Sequence, residues 1–66
     1  MKRQTAEMKA ARFFQLRFPN RDIETEKATG YFYEWVHRFT QPDPTIYMDS
    51  DSKAAYHIMQ TEQPQP

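Results

Sequence analysis

Between Ala28 and Phe39 the chain reads A-T-G-Y-F-Y-E-W-V-H-R-F, and its apolar positions recur at helical spacing. Stepped at about 100° per residue, Ala28, Tyr31, Phe32, Trp35, Val36 and Phe39 share one arc. Glu26, Lys27, Gly30, Tyr33, Glu34, His37, Arg38 and Thr40 share the opposite one, and only Ile23 sits on the wrong side. Such a separation predicts a helix over about 23–40 with one stripe turned to a core. Its ends agree. Asp22 is a suitable N-cap, Glu24 and Glu26 follow in the first turns, and His37 and Arg38 stand in the last, as the helix dipole favours. Glu34 and Arg38 form an i, i+4 pair, and Pro42 forbids continuation.

The same residues admit a rival reading. Tyr31, Tyr33, Trp35, His37 and Phe39 alternate with their neighbours, aromatic residues favour strands, and Gly30 disfavours a helix interior. A strand at 31–39 pairing with 45–48 gives an αββα chain with a hairpin at about 31–48. That register puts Phe32 and Val36 on the polar face and leaves the terminal charges unexplained. The helix is preferred.

Two more helices are predicted on either side. Residues 4–18 place Ala10, Ala11, Phe14 and Phe18 on a core arc, and Pro19 ends the segment. The other arc carries Lys2, Lys9, Arg12 and Arg17 with Phe13 and Leu16 among them, an apolar pair that a purely solvated face does not need. Asp49 or Ser50 caps a third helix near 50–61, with Ala54, Ala55, Ile58 and Met59 on one side. In the connection from Gln41 to Asp49, the apolar run Ile46, Tyr47 and Met48 is expected to tuck under the bundle. The expected fold is therefore all-α, a small three-helix bundle spanning 1–61, with 62–66 a disordered polar tail. Its expected core is Ala10, Phe14, Phe18, Ala28, Phe32, Trp35, Val36, Phe39, Ala54 and Ile58.

Length and composition narrow the chemistry. Sixty-six residues without cysteine offer no disulfide and no thiolate metal site, so stability rests on ten aromatic residues and four methionines. A monomer of this size can hardly hide them all. Either some face a partner or two copies, as a homodimer, share them. No stretch approaches the apolar length of a membrane span, and Arg12, Gln15 and Arg17 interrupt anything like a signal-peptide core. A cytoplasmic location, with no membrane partner, is the expectation. Formal charge is zero but unevenly spread: residues 1–21 hold six Lys or Arg against one Glu, and 22–66 hold three against eight carboxylates. Such a split points to an interaction surface, or to a basic helix lying beside acidic neighbours in the fold.

Nothing resembles an enzyme's machinery. There is no cysteine nucleophile, no G-x-S-x-G and no glycine-rich phosphate loop, since Gly30 is the only glycine. His37 and His57 lie on polar helix faces. Asp49 and Asp51 lack the glycine and the distal glutamate of a calcium loop, so capping explains them. No catalytic residue, metal or cofactor is expected. The expected function is that of a small non-enzymatic regulator or inhibitor that binds a larger protein. It would act through the basic and aromatic face of the first helix: Lys9, Arg12, Phe13, Leu16 and Arg17, with Tyr33 (and Tyr56) as further anchors. The alternative is nucleic-acid binding by the same helix, alone or as a dimer, with the cations on phosphates and an aromatic on an unpaired base.

Overall fold

The computed structural model describes residues 3–62. The chain is all-α, with no strand among the described residues: α1 (Arg3–Arg17), α2 (Ile23–Thr29), α3 (Tyr31–Phe39), a short 3-10 helix (Pro44–Tyr47) and α4 (Ser50–Glu62). The hairpin alternative is thereby excluded, and Trp35 stands on a helix with its indole 3% exposed. α4 runs one residue past its expected end, to Glu62, and the remainder of the proposed tail lies outside the described residues.

α1 is the hub, packing against α3, α4 and α2. Ring contacts give its direction relative to α3. Phe18 meets Tyr31, Phe14 meets Tyr31 and Phe32, and Phe13 meets Trp35 at 4.6 Å and Phe39 at 5.3 Å, so the two helices run antiparallel. The apolar residues of α1 are spread around the helix, but the fully buried ones lie at i, i+4, i+7 and i+8 on one side. Its fully buried residues are Ala6, Ala10, Phe13 and Phe14, while Ala11, Leu16 and Phe18 are half-buried at the margins. The core face is thus turned from Ala11 and Phe18 towards Ala6 and Phe13. Two alanines on that face let the neighbouring helices approach closely.

The expected helix 23–40 is two helices. Gly30 adopts φ 88° and ψ −9°, the left-handed conformation that closes a helix from its C-terminal side. Its N–H donates to the Lys27 carbonyl at 3.1 Å, and its own carbonyl accepts from Glu34 N–H at 3.2 Å to start α3. The stripe expected to run through the whole segment is broken with it, and Ala28, expected in the core, is exposed. α2 buries no residue completely. Its start is held by Asp22, whose carboxylate accepts from Thr25 N–H at 3.2 Å and from the Thr25 hydroxyl at 2.9 Å.

This break yields a test whose sign depends on the backbone. In a continuous helix, Gly30→Ala gains about 1 kcal/mol. At φ 88° the same change costs about 1–2 kcal/mol. A Cβ there meets nothing within 4 Å, so the penalty is purely conformational. Urea denaturation followed by helical ellipticity should show the midpoint falling; a rise would mean that α2 and α3 are one helix.

Two further expectations are corrected. On α4 the buried residues are Ser52, Ala55 and Met59, whereas Ala54 is exposed and Ile58 is 47% exposed. The helix is rotated by one residue from the expected face. In the 44–48 connection only Met48 tucks in, beside buried Pro44. Ile46 is 71% and Tyr47 46% exposed, because a tight 3-10 turn cannot point three successive side chains the same way.

Candidate protein-docking face

The residues expected to form a basic binding surface on α1 are largely engaged within the fold. Arg12 makes a two-pronged contact with Glu62, Nε to Oε1 at 2.9 Å and a terminal guanidinium nitrogen to Oε2 at 2.6 Å. The Arg17 Nε donates to the Ser52 hydroxyl at 3.1 Å, and its guanidinium lies 3.6 Å from Asp49 and 3.9 Å from Asp51. Hydrogen bonding from Arg12 lowers the Glu62 carboxyl below its ordinary range. The Asp49 carboxyl is lowered too, first by the Ser52 N–H that it caps, then by the Ser52 hydroxyl and the charge of Arg17. Exposed pairs like these add little stability, but they occupy the donors that a partner would need. Phe13 is wholly inside the core and Leu16 half-buried against it, so neither is offered to a ligand by the folded domain. Of that set, Tyr33 on α3 is exposed and Lys9 on α1 half-buried, neither with a carboxylate partner among the described residues.

Tyr33 is 42% exposed and forms a ridge between two hollows. On one side lie Met8, Ala11, Lys27 and Phe32, with Met8 70% exposed. On the other is an open cleft of about 630 Å³ lined by Gly30, Tyr33, Glu34, His37, Arg38 and Tyr47. α3 builds one wall of that cleft. Positions 33, 34, 37 and 38 share a side of the helix at i, i+1, i+4 and i+5, opposite the buried Phe32, Trp35, Val36 and Phe39. The short 3-10 helix builds the other wall. Its N-cap Asp43 accepts from Thr45 N–H at 3.1 Å and places Tyr47 across from α3.

Arg38 joins the two walls. The guanidinium lies over the Trp35 ring at 4.6 Å and over the Tyr47 ring at 5.8 Å. The expected Glu34–Arg38 pair is not formed; the arginine turns to the rings instead. Arg12, Arg17 and Arg21 each face a carboxylate, Arg21 reaching Glu26 at 3.6 Å, but among the described residues Arg38 has none. Contact with an aromatic face engages its charge and leaves its N–H donors uncommitted. Tyr33 was legible in the sequence as an aromatic on a polar helix face. Arg38 and Tyr47 were not, because a carboxylate stands four residues before Arg38 and an apolar run surrounds Tyr47.

No side-chain hydrogen bond among the described residues links the cleft's Tyr33, Glu34, His37 and Tyr47 to one another. Among the described residues no three His, Cys, Asp or Glu side chains gather as a metal site. His37 and His57 are both exposed, and Ser52, the buried polar side chain, is held by Arg17. No described helix is long and apolar enough to cross a membrane. Comparison with protein-family models, with curated proteins and with solved structures found no match.

Proposed function

We propose that this chain is a small, non-enzymatic protein-binding module, a regulator or inhibitor of a larger protein, and that its docking face is the Tyr33–Arg38–Tyr47 side of α3. The observation that carries this reading is the pair of half-exposed tyrosines facing a common cleft with an arginine that lacks a carboxylate. Tyrosine and arginine supply most hot spots of protein interfaces, because each brings large contact area and a polar tip. Ile46 and Met8 extend the apolar surface on either side. Nucleic-acid binding is less well supported. Arg12 and Arg17 are already matched by carboxylates, and residues 22–49 carry six acidic side chains against Lys27 and Arg38.

Site-specific photocrosslinking tests the face. Benzoylphenylalanine at position 33 should capture a discrete protein in the native host, and the same group at Lys9 on α1 should not. The captured protein, once identified and purified, should bind wild type at least about tenfold more tightly than Tyr33→Ala, with the variant's melting temperature little changed. Undiminished binding by Tyr33→Ala, capture through position 9 alone, or capture abolished by nuclease would each refute the assignment.

A further inference from the structure

We infer that the cleft receives an extended segment of the partner protein that carries one Asp or Glu, its carboxylate docked on Arg38. This rests on the docking face proposed above and specifies its ligand. Arginine's planar fork matches a carboxylate in a bidentate fashion, and here the fork is fixed in place by Trp35 behind it and Tyr47 beside it. A guanidinium already held by rings loses little freedom when an acceptor arrives, which favours binding. The rest of the lining sets the ligand's character. Tyr33 and Tyr47 offer aromatic area on opposite walls, and His37 stands beside Arg38.

Glu34 decides between acids. It lines the same cleft four residues before Arg38, and among the described residues no cation pairs with it. A phosphate dianion, usually gathered by several arginines, would meet a single arginine and an opposing carboxylate. A side-chain carboxylate carries less charge. The extended backbone attached to it supplies N–H donors that Glu34 can accept from. The acidic surroundings of residues 22–49 count further against a polyanion such as nucleic acid, so a peptide that brings one carboxylate to Arg38 among otherwise uncharged residues is the occupant that the charges fit.

A library of random dodecapeptides displayed on phage, panned against the full chain, provides the probe. Enriched peptides should share an Asp or Glu next to an aromatic or aliphatic residue, and synthetic versions should bind wild type. Arg38→Gln should weaken them about tenfold or more. Arg38→Lys, which keeps the charge and the aliphatic stem but lacks the fork, should also weaken them several-fold; circular dichroism confirms that each variant is folded. Replacing the shared acid by its amide should reproduce the loss, and by phosphotyrosine should not improve binding.

Peptides that need Tyr33 but lack an acid, or that ignore both Arg38 changes, would overturn the carboxylate assignment and leave the docking face standing. Tighter binding of the phosphotyrosine peptide would do the same. Failure of any peptide to enrich, with crosslinking at position 33 intact, would also overturn the carboxylate-bearing segment alone. Failure of both panning and crosslinking would remove the face and the inference together.

Discussion

Phe13→Ala should bring the domain to the edge of unfolding. The side chain is fully buried, tilted against Trp35 at 4.6 Å and edge-on to Phe39 at 5.3 Å, at the meeting of α1 with α3. Truncating a buried phenylalanine costs about 3–5 kcal/mol, partly from lost transfer energy and partly from the cavity left behind. A chain this short holds only about 3–10 kcal/mol in total. Thermal denaturation monitored at the helical band should therefore show a midpoint lowered by more than about 12 °C, or no cooperative transition. Had Phe13 been a solvent-facing anchor for a partner, the midpoint would scarcely move and only binding would suffer. A variant that melts with wild type would return Phe13 to the surface and reopen α1 as the interface.

The aromatic stretch was read correctly where one face of one helix decides the outcome. Phe32, Trp35, Val36 and Phe39 are buried on α3, and Asp22 and Asp49 cap the helices that follow them. The pattern was ambiguous on α1, whose apolar residues are spread around the helix and mark no single side. Phe13 stands seven residues after Ala6 and three after Ala10, on one helical side with them and with Phe14, and ring contacts with α3 choose that side over the one through Ala11. Gly30 was ambiguous for another reason. A lone glycine is tolerated inside a helix and also favoured at a left-handed stop, and the choice depends on tertiary packing.

The same limit applies to the docking face. Local rules pair Arg38 with Glu34. The folded chain offers it two aromatic rings, one of them carried in from the 3-10 helix nine residues away. The charge split, in turn, was legible as a fact but not in its meaning. Arg12 reaches fifty residues along the chain to Glu62, and Arg17 thirty-five to Ser52, so the basic helix and the acidic half largely answer each other inside the domain. What survives outside is a smaller, mixed-charge aromatic cleft, and that is why the proposed partner surface moves from α1 to α3.

Met59→Ala and Ile58→Ala should part company sharply. Met59 is 1% exposed and Ile58 47%, although they are neighbours on α4 and of similar size. Removing the buried methionine should cost about 2–5 kcal/mol, while the exposed isoleucine should change stability by no more than about 0.5 kcal/mol. The doublets Ala54–Ala55 and Ile58–Met59 let two adjacent faces of α4 look equally apolar, so the tie is broken by contacts from elsewhere. Ser52, Ala55 and Met59 lie at i, i+3 and i+7, and the bond from Arg17 to Ser52 requires that stripe to face α1. Urea titrations of the two variants measure the register directly. If Ile58 proved the costly one, α4 would be turned by about 100°, and Ser52 could not meet Arg17. Arg17 would then be free for a partner after all, and the case for Arg38 as the described arginine without a carboxylate would lose its contrast.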